Sequence, residues 1–309
     1  MEAGNSAENV MEDEVMKICS FGSLNLDHIY QVEEIVLPAE TIGSFGTQDV
    51  CGGKGLNQSI AMARAGAKVW HAGNVGQDAE GGVLLDALGR EGVDTSLVRR
   101  LPMKSGHAII QINQHGENAI IVFGGSNQAV TQEQIEQVMA QFDAGDLLVL
   151  QNEVSCMPEI VRCAHARGMK IALNPSPITP ALAQIPIELC DILFVNEIEA
   201  GRLCGTPKAT LEQLAERFPN AMLVYTMGSR GAAVYAQGKT YHQEAVRVKA
   251  VDTTGAGDTF TGYFLAAICE GMEIAGALKL ATKAAAISVT RPGASVSVPA
   301  RAEVEAFNP

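Results

Sequence analysis

From Lys17 onward, short apolar runs alternate with amphipathic stretches. The runs Ile18–Gly22, Val69–Asn74, Leu147–Leu150, Lys170–Leu173, Ile192–Val195 and Met222–Met227 read as strands. Between and after them, helical spacing of apolar positions predicts helices over Asn57–Ala65, Gly82–Gly89, Gln132–Gln141, Pro158–Arg167, Glu197–Leu203, Leu211–Phe218, Thr259–Glu270 and Ile274–Val289. Most boundaries carry Gly, Pro, Asn or Asp. Pro158 suits a first helical position, and Thr131 with Gln134 suits a capping box. This alternation predicts an α/β fold, a central mostly parallel sheet covered by helices on both faces.

Three segments break the rhythm. Asp27–Val50 lacks a helical pattern, and Ser105–Phe123 reads as two strands around the turn 114–117. Both predict antiparallel pieces outside the main sheet, a small β lid near 27–50 and 105–123. Ala232–Tyr235 and Lys239–Gln243 predict a hairpin. Residues 1–15 hold five acids and little apolar content, which predicts a disordered acidic leader ahead of a single domain over 16–309.

Composition narrows the class. A net charge of −13 argues against a nucleic-acid partner, because phosphate binding needs clustered Lys and Arg. No apolar run approaches a membrane span. Seven cysteines without a CxxC pair read as reduced thiols of a cytoplasmic protein, and the six scattered histidines offer no zinc motif. Gly238-Lys239-Thr240 lacks the leading glycine of a phosphate-binding P-loop. Gly53-Lys54-Gly55 lacks the third glycine of a dinucleotide fingerprint, since position 58 is Gln.

Five constellations carry candidate chemistry. Asp252-Thr253-Thr254-Gly255-Ala256-Gly257-Asp258 precedes a helix, so backbone N–H groups and the helix N-terminus can converge on an anion. Asp258 there is either a base that takes a proton from an attacking hydroxyl or a helix N-cap. Cys51-Gly52-Gly53-Lys54-Gly55-Leu56-Asn57-Gln58, leading into a helix, can close on a polyol, or form a flexible loop with Asn57 as cap. Asn25 and Asp27 share a face of an extended chain, where an amide and a carboxylate can grip vicinal hydroxyls; turn chemistry is the plainer reading. Asn196 and Glu199 follow a strand, placed for a nucleotide and water-bound Mg²⁺ or for helix capping. Thr226–Gly231 can line a nucleotide pocket or make a tight turn.

In this order, GGKGxN, NExE and DTxGAGD, the chain resembles the ribokinase-like (PfkB) family of carbohydrate and nucleoside kinases over about residues 17–302. The resemblance implies one α/β domain with a β lid over the sugar. It implies transfer of the γ-phosphate of MgATP to the 5-hydroxyl of D-ribose, with deoxyribose, fructose, a sugar acid or a nucleoside as the alternative acceptor. It makes Asp258 the base and Gly255, Ala256 and Gly257 the anion hole. Asn25, Asp27, Gly53, Lys54, Gly55, Asn57 and Glu153 would hold the sugar. Asn196, Thr226, Gly228, Ser229, Gly231, Gly257 and Thr282 would line the ATP side, with Glu199 linked to Mg²⁺. An activating K⁺ would sit among Asp252, Thr254, Ser288, Arg291, Gly293 and Ser297. A homodimer through the lid is also implied. His107 lies in the lid where the family ordinarily has an aliphatic residue, either at the rim or as the mark of a different sugar. A sugar-binding regulator that has lost turnover is the competing class, disfavoured by the presence of Asp258 and its glycines.

Overall fold

The computed structural model describes residues 16–308. The acidic leader lies outside the described residues. The chain opens with β1 (Ile18–Phe21), β2 (Asn25–Gln31), β3 (Gly46–Gly52), α1 (Lys54–Arg64), β4 (Val69–Gly76), α2 (Ala79–Arg90) and β5 (Asp94–Leu101). Next come β6 (Gly106–Ile112), β7 (Asn118–Phe123), α3 (Gln132–Met139), β8 (Leu147–Gln151), α4 (Met157–Ala166) and β9 (Lys170–Asn174). The rest is β10 (Ile192–Asn196), α5 (Glu197–Cys204), α6 (Leu211–Arg217), β11 (Met222–Thr226), β12 (Ala232–Ala236), β13 (Lys239–Gln243), α7 (Ala256–Cys269), α8 (Ile274–Ser288) and α9 (Arg301–Ala306).

The main sheet has the order β13-β12-β11-β10-β9-β8-β1-β4-β5, parallel except for the hairpin at the β13 edge. Its central strands β1, β4, β8 and β10 are buried on both faces, as continuous apolar runs require. Alternate residues feed two cores: Leu147, Val149 and Val224 pack towards α1, α7 and α8, whereas Leu148, Leu150 and Leu223 pack towards α3, α4 and α6. Among the described residues no helix is long and apolar enough to cross a membrane, and the seven cysteines are unpaired.

The two lid pieces form one sheet, ordered β3-β2-β6-β7. Each piece is an antiparallel hairpin, as the sequence suggests, but a parallel β2–β6 pairing joins them. That join spans about eighty residues and has no local signal. The strand β5 was not among the sequence expectations either; it lies at the sheet edge and exposes Ser96 and Arg100 to water. Thr131 Oγ1 does accept the Gln134 N–H at 3.2 Å, but the Gln134 side chain reaches Gly73 O instead of completing a capping box. Helix α4 starts one residue before Pro158.

Candidate active site

Strand order changes direction between β1 and β8: from β1 the sheet continues to β4 on one side, and from β8 to β9 on the other. Open α/β sheets bind ligands beyond the carboxyl ends of strands at such a point. Here those ends lead into Ser23 and Glu153. The Ser23 hydroxyl donates to Glu153 Oε2, and the same oxygen accepts the Lys54 N–H at 2.9 Å. A carboxylate from across the crevice thus satisfies an orphan donor at the start of α1. Gly53, with φ of 91°, precedes that helix, so Lys54, Gly55 and Asn57 belong to its first turns rather than to a loop. Asn57 is therefore not the cap.

Asn25 and Asp27 open β2 on one face of the lid sheet. Asn25 Oδ1 accepts from Asn127 Nδ2 at 2.8 Å. Burial raises the Asp27 pKa to about 6, the charge of Glu153 adds to the rise, and His28 opposes it. Glu153 is also pushed up, by burial first, although Lys54 and Ser23 pull the other way. Two acids that each lose solvation here are both improved by hydroxyl donors, which a polyol supplies. His107 does not join them. It pairs in register with Leu26, hence on the opposite lid face from Asp27, against Phe123 and 4.0 Å from Glu80. The period of two decides this.

Asp258 is the third residue of α7, behind Gly255, whose φ of 72° makes the sharp entry to the helix. A side chain at Gly255 would also meet Ala294 Cα at 2.9 Å. Asp258 is 5% exposed and is not the cap. Its Oδ2 accepts from Asn57 Nδ2 at 3.0 Å and its Oδ1 from Gln58 Nε2 at 2.9 Å. Gln58 was missed in the sequence, where it reads as one polar position of an amphipathic helix. The N–H groups of Gly257 and Asp258 have no acceptor among the described residues. They add to the roughly half positive charge of a helix N-terminus. The nearby Lys54 ammonium is held above its usual range, foremost by Asp258, against burial and with help from Glu153 and Glu199.

On the other side of α7 lies a cavity of about 690 Å³. Thr226, Gly228, Ser229, Gly231, Gly257 and Thr282 all line it, together with Ala256. The Thr282 hydroxyl is buried there without a partner in the described residues. The size is within the range of cofactor and ligand sites. Asn196 is not in the lining. It pairs in register with Thr226 and caps α5, its Oδ1 accepting the N–H groups of Ile198 and Glu199 at 2.9 Å each. Glu199 Oε2 returns a bond to the Asn196 N–H at 2.9 Å, which completes a capping box and leaves Oε1 available.

Of the residues implied for a monovalent cation, Asp252, Thr254 and Gly293 come together. Asp252 accepts the N–H groups of Thr254 at 2.9 Å and Gly293 at 2.8 Å, tying the turn before α7 to the loop after α8. Burial works to raise the Asp252 pKa, but these bonds together outweigh it and keep it below its usual range. Ser288 and Ser297 spend their hydroxyls on Ala285 O and Ala294 O, and Arg291 pairs with Glu303. Among the described residues no three His, Cys, Asp or Glu side chains group as a transition-metal site.

A buried carboxylate at a helix N-terminus thus lies between a crevice edged by acids and a cavity of ligand size. Comparison with known proteins places it further. Residues 15–301 match the pfkB family carbohydrate kinases, and the chain belongs to that family. It is 35% identical to the ribokinase of Haemophilus influenzae, over 93% of this chain and 96% of that one. It is 32% identical to the deoxyribokinase of Salmonella typhi, over 95% and 98%. The structure of Arabidopsis thaliana ribokinase complexed with ribose and ATP superposes with a TM-score of 0.85, at 30% identity, over 95% of this chain and all of that one. The protein is an ATP-dependent carbohydrate kinase.

Proposed function

We propose that the protein transfers the γ-phosphate of MgATP to the 5-hydroxyl of D-ribose, giving D-ribose 5-phosphate and ADP. The observation that carries this is Asp258, a buried carboxylate with both oxygens held by amides, at the N-terminus of the helix that also walls the nucleotide cavity. In this reading Asp27, Asn25 and Glu153 orient the sugar through its ring hydroxyls. Asp258 takes the proton from the 5-hydroxyl as its oxygen bonds to the γ-phosphorus, and the bond from phosphorus to the β–γ bridging oxygen breaks. The N–H groups of Gly257 and Asp258 face the phosphoryl oxygens, where charge spreads during transfer, and Lys54 adds its positive charge. Positioning supplies most of the acceleration.

Mg²⁺ would enter with ATP and neutralise phosphate charge. Glu199 Oε1 is the free acceptor on this side for one of its waters. K⁺ would lie beside the anion hole, held by Asp252 and the carbonyls of the 252–254 and 288–297 segments, and would stiffen the entry to α7. The exposed apolar strand β7 supports a homodimer through the lid, and seven unbridged thiols suit a reducing compartment such as the cytoplasm. Replacing Asp258 with Asn tests the reading. Turnover should fall about 10²–10⁴-fold, while the ribose dissociation constant changes only a few-fold. Near-normal turnover would remove Asp258 as the base.

A further inference from the structure

Behind the base lies a chain of buried amides that the transfer step above does not use. Gln58 and Gln151 are both 0% exposed. Gln58 Nε2 donates to Asp258 Oδ1 at 2.9 Å, and Gln151 Nε2 donates to Gln58 Oε1 at 2.7 Å. Gln58 stands one residue after Asn57 on α1, and Gln151 ends β8 at the point where the sheet order reverses. Neither lines the nucleotide cavity.

The polarity of this chain has one solution while Asp258 is ionised. A carboxylate only accepts hydrogen bonds, so Gln58 must turn its NH₂ to Asp258 and its oxygen to Gln151. Gln151 must then give its own NH₂ to Gln58. Its remaining oxygen faces the space that a side chain at Gly22 would fill, and it is left buried without a partner. An orphaned buried acceptor is costly, and a leucine or methionine would fill the same volume without that cost. The polar pair is therefore poorly explained as packing and well explained by what it holds.

We infer that Gln58 and Gln151 are positioning residues for the base: Gln151 fixes Gln58, and Gln58, with Asn57, fixes the carboxylate plane of Asp258 so that its remaining lone pairs meet the acceptor hydroxyl. This rests on Asp258 being the base. Because both glutamines are fully buried and neither lines the nucleotide cavity, their loss should fall on kcat and spare KM.

The test is steady-state kinetics of Gln58→Met, Gln151→Met and the double variant with ribose and MgATP, alongside Asp258→Asn, with circular dichroism on each protein. Gln58→Met should lower kcat about 10–100-fold and Gln151→Met about 3–10-fold, with both KM values within about twofold of wild type. The double variant should be no slower than Gln58→Met, because Gln151 acts only through Gln58. A Gln58→Met kcat within about twofold of wild type, or losses that multiply in the double variant, overturns the inference. If Gln58→Met does not fold, Gln151→Met decides: an unchanged kcat overturns it. An inactive Asp258→Asn beside a normal Gln58→Met sinks the positioning role alone, whereas an active Asp258→Asn sinks the base and this role with it.

Discussion

Burial, with the charge of Glu153 added, raises the proton affinity of Asp27 in a partly buried crevice, and the consequences differ for folding and for binding. With its pKa near 6 in the fold and near 3.8 unfolded, Asp27 keeps a proton between those values that the unfolded chain has released. Its contribution to stability is complete below about pH 4 and is lost as pH rises through about 6. Asp27→Asn should therefore stabilise the sugar-free protein at pH 7.5 by about 2 kcal/mol, with the gain gone near pH 4; thermal melts across pH check this. Binding has the opposite sign, because sugar hydroxyls donate to the ionised form. Titration calorimetry should show ribose affinity weakening below about pH 6 in the wild type, and that limb should disappear in Asp27→Asn. Affinity that stays flat between pH 5 and 7.5 in the wild type would contradict the role of Asp27. His71, fully buried against Ser59 and Gly22, has its pKa driven down by burial to about 4. It contributes stability above pH 6.5 that is lost towards pH 4.

Helices α1 and α7 bring Asp258 to Asn57 and Gln58. They touch closely at Gly262, where an added Cβ would meet Ala61 Cβ and come within 2.8 Å of Met62 N. Gly262→Ala should push the helices apart, costing about 1–3 kcal/mol in a denaturant melt and lowering kcat several-fold as Asp258 moves from Asn57 and Gln58. An unchanged melt would show that the contact relaxes freely. Much at this scale was legible in the chain, since the parallel-sheet runs and the stretch from Asp252 to Asp258 carry local patterns. The start of α1 was not: Gly52 and Gly53 precede it without a capping side chain, and its cap comes from Glu153, 99 residues away. Nor could Gln58 be told from a solvated helix residue, because its partners lie 93 and 200 residues off. Asn196 and Glu199 show the converse. Their capping geometry is local and was legible, and neither side chain lines the nucleotide cavity.

The lid leaves apolar side chains in water: Ile120, Ile121, Val122 and Phe123 of β7 are 48–67% exposed. Ile120 and Val122 share one face, which the proposed pairing of lids would cover. Light scattering should give twice the chain mass for the wild type and a single chain for Ile120→Lys with Val122→Lys; a monomeric wild type would contradict pairing. In the proposed reading the cation, the transferring phosphoryl group and the sugar would meet around the start of α7, so sugar, nucleotide and cation should act on one rate. The decisive measurement is ADP release from MgATP with ribose, 2-deoxyribose, fructose and a nucleoside, each with and without K⁺. A site that hydrogen-bonds a hydroxyl rejects the analogue lacking it by up to about 10⁴–10⁵. Ribose should therefore turn over fastest, with K⁺ stimulation, and 2-deoxyribose orders of magnitude more slowly. Preferred turnover of 2-deoxyribose or a nucleoside, or none on any acceptor by folded protein that binds ribose, would contradict the account.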